Sequence, residues 1–177
     1  MTEPILTRDP LGEWAYRGLW IAIIALPAVL TFVRWAFMDK GIVWTLWIIV
    51  GVGSVAALQV ILAGLAWVYR HRQWRHWLGR VSSISSFVYY GLWFLLALTF
   101  PDSDIATTFK SPLMHLFGDA FGDSFGTVLL GLVGVAYLVA LVSIVAEGEK
   151  AVALDPTGKS IKAIIASAFS EKRRPPR

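Results

Sequence analysis

Few side chains in this sequence are of types that carry out chemistry, and they do not form a recognised catalytic pattern. The chain has three histidines and no cysteine, which excludes thiolate metal sites, iron–sulfur clusters and covalent haem attachment. His71 and His76 are five residues apart and share no helical face, and His115 belongs to a different loop. A bis-histidine haem site within a helical bundle is therefore not expected. With no nucleophile and base in evident proximity, the sequence predicts no enzyme, no cofactor and no bound metal.

Three further polar patterns have alternative interpretations. The GKS sequence at 158–160 resembles the end of a phosphate-binding loop, but Ala153 stands where that motif requires glycine and no strand precedes it. Gln59 lies deep in an apolar stretch and predicts a hydrogen bond between helices or, as the sharper hypothesis, a quinone or ion site. Four loop aspartates are either solvated or ligands of a hard cation: Asp102, Asp104, Asp119 and Asp123.

Four long apolar stretches dominate the chain, and their membrane interiors contain no Asp, Glu, Lys, Arg or His. They cover approximately residues 17–37, 41–69, 81–100 and 126–146. Each is long enough to cross a bilayer as a helix, which takes about 20 residues. Intramembrane charges usually mark ion paths or proton relays, so their absence argues against a pump or a proton-coupled carrier. The predicted fold is an all-α integral membrane protein, with a four-helix transmembrane domain at 1–148 and a cytoplasmic amphipathic helix and basic tail at 149–177.

The basic residues are distributed unevenly along the chain. If both termini lie on one side, that side holds 13 of the 16 Lys and Arg residues, and the other side holds only Arg34, Lys40 and Lys110. The positive-inside rule then predicts cytoplasmic termini in a bacterial plasma membrane. Topology therefore explains the net charge of +4, and nucleic acid is not expected as a partner. The residues predicted to contact anionic lipid are Arg70, Arg72, Arg75, Arg80, Lys159 and Lys162.

Small and aromatic residues within the stretches predict close contacts, either between helices or with other subunits. Gly53 and Ala57 are four residues apart, as are Ala136 and Ala140, and this spacing lets helices approach closely. Packing within the chain is the better interpretation for one of these faces, and the other is available to a neighbouring subunit. The full set predicted to make such contacts is Gly53, Ala57, Gly131, Gly134, Ala136, Ala140, Trp20 and Trp93.

Two segments outside the stretches have helical patterns. In the long loop, Ser111 as N-cap and Pro112 at the first helical position predict a short helix on the outer membrane surface or against a partner. In the tail, Asp155 caps a predicted amphipathic helix. Its apolar face is expected to dock on the membrane surface or on a partner through Ile161, Ile164, Ile165 and Phe169.

The sequence YRGLW at 16–20 is similar to YYGLW at 89–93. Duplication of a helical hairpin and chance matching of apolar sequence explain this similarity equally well. The four spans, tryptophan-rich interfaces and basic tail resemble small accessory subunits of bacterial respiratory assemblies, such as the actinobacterial cytochrome bcc–aa3 supercomplex. The hairpin pattern is also similar to bacterial membrane families of unknown function. The first resemblance implies contact with haem-bearing subunits without haem ligation, and lipid or quinone contacts at the surface.

The favoured function is a non-catalytic accessory, assembly or stabilising subunit of a larger membrane complex, in respiratory electron transfer. Such a subunit would lose its partners when Gly53 or Ala136 becomes bulky. The first alternative is a small carrier subunit or a quinone- or lipid-binding protein, in which Gln59, Ser54 and Ser86 line a site. The second alternative is a lipid-surface regulator.

Overall fold

A computed structural model describes residues 9–37, 42–70, 77–99, 102–103, 108–119 and 122–154. In chain order the elements are α1 (Pro10–Phe37), α2 (Ile42–Leu46), a π-helical turn (Trp47–Gly51), α3 (Val52–Arg70), α4 (Arg80–Thr99), β1 (Asp102–Ser103), β2 (Thr108–Phe109), α5 (Pro112–Phe117) and α6 (Asp123–Leu154). Because α2, the π-helical turn and α3 are contiguous, they form one long helical segment.

Four helical segments are long and apolar enough to cross a membrane, which confirms the predicted multi-pass membrane protein. They are Pro10–Val33, Trp44–Tyr69, Arg80–Thr99 and Ser124–Ala153. Two of the helices extend beyond the predicted stretches: α1 begins at Pro10 and α6 continues to Leu154. The α6 helix is therefore uninterrupted at position 148, where the sequence places the end of the transmembrane domain.

The early start of α1 has a local cause. The Asp9 carboxylate accepts a hydrogen bond from the backbone N–H of Leu11 at 3.0 Å, and Pro10 occupies the first helical position, where its missing N–H costs nothing. One turn later, Glu13 and Arg17 form an ion pair at 2.6 Å with the i,i+4 spacing that supports a helix. These polar residues extend the helix by about two turns without extending the apolar stretch.

The π-helical turn is an irregularity that the sequence did not predict. The backbone N–H of Val52 bonds to the carbonyl of Trp47, five residues back. The Trp47 ring lies against Gly51, where a Cβ atom would overlap it. The indole N–H of Trp47 donates to the Thr31 hydroxyl on α1 at 3.0 Å. This bond ties the first two membrane segments together and satisfies an indole donor that would otherwise be costly in hydrocarbon.

The four long helices pack in the order α1, α3, α6, α4 around the bundle. The α1 helix packs on α3 and α4, and α6 packs on the same two helices, so α1 and α6 stand diagonally opposite, as do α3 and α4. We name the two ends of the bundle by their residues. The carboxylate end, with Glu147 and Glu149, holds the start of α1 and α4 and the end of α3 and α6. The loop end is the opposite one, with β1, β2 and α5. The shared core includes Leu19, Leu62, Ala66, Tyr89, Val133 and Ala140.

The loop end contains the predicted short helix and an unpredicted β-ladder. Ser111 caps α5 by accepting the backbone N–H of Met114 at 3.3 Å, and Gly118 ends it with a positive φ of 91°. The two-residue strands β1 and β2 pair antiparallel, with Asp102 opposite Phe109. The predicted C-terminal amphipathic helix lies outside the described residues. So do several predicted contact residues: Arg72, Arg75, Lys159, Lys162, Ile161, Ile164, Ile165 and Phe169.

Candidate functional site

The predicted small-residue contacts divide into an inner and an outer group. Ala140 is fully buried, and Ala136 packs against the core of the chain. The outer group, which we call the small-residue surface, consists of Gly53, Ala57, Gly131 and Gly134, all exposed on the outside of the bundle. A Cβ atom added at any of its three glycines would meet no atom within 4 Å. No contact within the described chain therefore requires these glycines.

The two tryptophans predicted to make contacts also differ in position. Trp20 is 45% exposed on α1. Trp93 is half-buried, and its ring centroid lies 6.3 Å from that of Trp47 and 6.5 Å from that of Tyr89. Of the predicted lipid-contacting residues, Arg80 is exposed at the start of α4, which is compatible with a headgroup contact.

A polar cluster occupies the centre of the bundle, and we define it as Gln59 on α3 with Tyr89 and Trp93 on α4. Gln59 and Tyr89 are fully buried. The Tyr89 hydroxyl lies close to the Gln59 amide and to the Trp93 indole. Among the described residues, both amide atoms of Gln59, the Tyr89 hydroxyl and the Trp93 indole nitrogen have no hydrogen-bond partner of good distance and angle. Groups of this kind are rare in folded interiors and usually have a specific explanation.

The structure does not assemble the site that the sequence suggested for a small molecule. Ser54 is exposed, whereas Gln59 is fully buried. Ser86 is buried, but its hydroxyl donates to the Ser82 carbonyl at 2.8 Å, four residues back. Sequence reasoning missed Tyr89 as the neighbour of Gln59, although YYGLW at 89–93 marked that segment. The α3 and α4 helices are diagonal, and only the order of helices around the bundle brings these side chains together.

Four serines at the start of α4 form a polar stripe that is satisfied within the protein. Ser82, Ser83, Ser85 and Ser86 are all buried. The hydroxyls of Ser83 and Ser85 donate to backbone carbonyls one turn back, at 2.7 Å and 3.1 Å. The Ser85 hydroxyl is also 3.1 Å from that of Ser143 on α6. Small hydroxyl side chains of this kind join membrane helices closely without leaving donors unpaired.

A carboxylate contact closes one end of the bundle. The Glu147 carboxylate accepts the backbone N–H groups of Val81 and Ser82, each at 3.2 Å, and also the Ser82 hydroxyl. It thus caps the first turn of α4, whose N–H groups have no partner within the helix. Gly79 passes directly under this carboxylate, where a Cβ atom would overlap it.

The residues beside Glu147 fasten α6 to α3. The Tyr69 hydroxyl donates to the Glu149 carboxylate at 3.0 Å. The Tyr69 ring lies on Gly148, so closely that a Cβ atom there would overlap three ring carbons. These acidic residues lie just beyond the predicted span at 126–146, and their contacts between helices were not predicted from the sequence.

Two apolar grooves lie on the outside of the bundle. One, of about 740 Å³, runs between α1 and the α2–α3 segment and is lined by residues that include Pro27, Thr31, Trp44 and Ala56. The other, of about 450 Å³, lies between α4 and α6. Neither groove includes a residue of the central polar cluster. Both are suited to hydrocarbon, from lipid or from a partner helix.

Within the described ranges, no group of three or more His, Asp or Glu side chains is placed to hold a metal ion. The described side chains thus provide polar groups in the centre of the bundle and a carboxylate that caps α4 at one end. The outside of the bundle provides apolar surfaces for lipid or for a partner helix. Comparison of the chain with protein-family models, with curated proteins and with solved structures finds no match.

Proposed function

We propose that this protein is a non-catalytic accessory subunit that assembles or stabilises a larger membrane complex. The observation that supports this most directly is the small-residue surface, whose glycines face outward from the bundle. Through the resemblance to small subunits of respiratory assemblies, the proposal extends to a complex of respiratory electron transfer. It places the chain in a bacterial plasma membrane with both termini in the cytoplasm.

An exposed glycine lowers the stability of a helix. In a helix interior, glycine is about 1 kcal/mol less favourable than alanine. Gly53, Gly131 and Gly134 carry this cost on α3 and α6 without allowing any close approach inside the chain. Lipid tails do not require such a thin surface, whereas a partner helix does, because van der Waals packing of close backbones drives helix association in membranes.

The apolar side chains around these glycines fit the same function. Exposed large residues flank Gly131 and Gly134 on α6, including Leu130, Leu132 and Val135. Ridges of this kind beside a thin face would interlock with a second helix. The described surface would therefore supply both shape and area to an interface within the membrane.

The proposal predicts that bulk on the small-residue surface abolishes partner binding without unfolding the bundle. In the double variant Gly53→Leu and Gly131→Leu, the partner backbones can no longer approach closely. Tagged protein purified from its native membrane in mild detergent would lose most of its co-purifying subunits, together with any haem absorbance that those subunits carry. Quantitative mass spectrometry and a visible spectrum measure both quantities.

The matched control is Gly91→Leu on α4. Gly91 is also exposed, and a Cβ there also meets nothing within 4 Å, but its neighbours one turn away on α4 are the large residues Phe87 and Leu95, so it does not belong to a thin helix face. This variant should retain the partners. A wild-type chain that purifies alone and colourless from several mild detergents would contradict the accessory function.

A second candidate function has its own observation. The unpaired polar atoms of Gln59 favour a small-molecule carrier or a quinone- or lipid-binding protein. In that case Gln59→Leu would abolish ligand retention or transport, while the small-residue variants would not. An accessory subunit would show the opposite pattern.

A further inference from the structure

The groove between α1 and the α2–α3 segment extends through one half of the membrane region. On the α2–α3 side its lining runs from Trp44, the first residue of the second candidate span, to Ala56 at the middle of that span. On α1 it runs from Trp35, just beyond the end of the first span at Val33, to Ile23 near the middle of that span. At about 1.5 Å per residue each side is ~18 Å long, close to the ~15 Å of half a bilayer's hydrocarbon core. The groove therefore runs from the membrane boundary at the loop end to the bilayer centre.

The lining of this groove is apolar, and it is aromatic at the boundary end. Trp35 and Trp44 lie there, and tryptophan side chains prefer the headgroup level of a membrane. Toward the bilayer centre, the small side chain of Ala56 leaves space between the helices. Thr31 also lines the groove, but its hydroxyl already accepts the Trp47 indole N–H at 3.0 Å. The groove, of about 740 Å³, is therefore suited to hydrocarbon and not to a polar molecule.

The width of the groove favours a hydrocarbon chain over a partner helix. Packed helices have axes about 8–10 Å apart, and a helix with its side chains is about 10–12 Å across. The crevice between α1 and α3, which pack on one another, is therefore narrower than a helix. A partner helix would lie over the groove, whereas a hydrocarbon chain is thin and flexible enough to enter it along its whole length.

The rest of the chain does not supply the occupant. Residues 1–8, 71–76 and 155–177 continue from helix ends at the carboxylate end and would have to cross the membrane to reach this groove. Residues 38–41 and 104–107 each join two described elements, and four residues span at most about 14 Å, too short to enter the groove and return. Membrane lipid is then the source of hydrocarbon.

We propose that this groove, which we call the leaflet groove, is a specific binding site for an acyl chain of a phospholipid in the leaflet at the loop end. The ester end of the chain lies at Trp35 and Trp44, and its terminal methyl group lies beside Ile23 and Ala56. The second outer groove lacks this design, because it starts at Val81 at the carboxylate end and has no aromatic lining residue. The site is separate from the small-residue surface and does not depend on the accessory function.

Native mass spectrometry of the full-length protein in mild detergent tests retention. We expect one phospholipid per wild-type chain to stay bound after the other lipids are removed by collisional activation. In Ala28→Phe a ring enters the leaflet groove, and retention should fall several-fold. Val29→Phe is the matched control: Val29 is the next residue on α1 and is also exposed, but it does not line the groove, so retention should stay at the wild-type level.

A photoreactive lipid tests the orientation of the chain. The probe is phosphatidylglycerol with a diazirine on one acyl chain, added to the wild-type protein after its own lipid is removed. A diazirine near the terminal methyl group should label Ile23, Ile24 and Ala56, as read by peptide mass spectrometry. A diazirine near the ester should label Trp35 and Trp44 instead.

Several outcomes would overturn the proposal. One is a wild-type chain that retains no phospholipid, or that retains an isoprenoid quinone in its place. Another is equal loss of lipid from Ala28→Phe and Val29→Phe while both keep the helical circular dichroism of the wild type. The third is a complex from native membrane in which a partner helix cross-links to the groove and lipid is absent. If Ala28→Phe does not fold, Ala56→Phe fills the groove from its other wall and takes its place.

Discussion

Replacing Gly148 by leucine is expected to destabilise the bundle more than other single changes on α6. The Tyr69 ring lies directly on Gly148, and Tyr69 is only 1% exposed, so a leucine side chain at position 148 would have to displace a buried ring. Overpacking a tight interior typically costs about 1–3 kcal/mol and occasionally more. Displacement of the ring would also break the 3.0 Å bond from its hydroxyl to Glu149. Thermal unfolding in detergent, followed by circular dichroism, measures the loss.

The chain provides a closely matched control on the same helix. Gly134→Leu introduces the same side chain at an exposed glycine, where a Cβ meets nothing within 4 Å. We expect this variant to be at least as stable as the wild type, by up to about 1 kcal/mol, because leucine is a better helix former than glycine. Equal destabilisation by the two variants would show that Gly148 is not a point of close helix contact.

Glu147→Gln is expected to loosen the start of α4. The carboxylate accepts two backbone N–H groups and one hydroxyl, and bonds to a charged group are worth about 1.5–3 kcal/mol each in favourable cases. Glutamine has the same shape but no charge, and it turns an NH₂ donor toward donors that need an acceptor. Hydrogen exchange at the amides of Val81 and Ser82 should accelerate, and the melting temperature should fall.

Glu13→Gln is the matched control for the loss of a carboxylate. Glu13 pairs with the exposed Arg17 on the same helix, an i,i+4 pair whose contribution is about 0.3–0.5 kcal/mol. Its removal should leave exchange at Val81 and Ser82 unaffected. If Glu147→Gln also left that exchange unchanged, the capping contact across helices would be without energetic importance.

Hydropathy predicted the four spans because a stretch of about 20 apolar residues has few alternatives to a membrane helix. It could not predict where the helices end. The first two turns of α1 and the last two of α6 contain Glu13, Arg17, Glu147 and Glu149, which hydropathy assigns to water. They are helical because of particular contacts, namely the cap by Asp9 and the bonds from α6 to α3 and α4.

The contacts between residues of the candidate site could not be predicted from the sequence of any single helix, because they follow from the order of the helices around the bundle. The α6 helix is apolar on all sides, so its sequence pattern cannot show that Ala140 faces inward and Gly134 outward. Gln59 stood out in the sequence because a polar residue in an apolar stretch is conspicuous. Its neighbour Tyr89 did not, since the pairing follows from the diagonal position of α3 and α4. Serine is a polar residue, yet the four serines at the start of α4 are buried.

The arrangement of helices has a consequence for biogenesis. Gln59 emerges from the ribosome 30 positions before Tyr89, and in the finished bundle it lies among side chains of the second hairpin. At the usual elongation rate that interval lasts on the order of a few seconds. During that time the first hairpin lacks the side chains of α4 that lie beside this amide in the finished bundle. The native contacts of this amide can therefore form only after the third span has been synthesised.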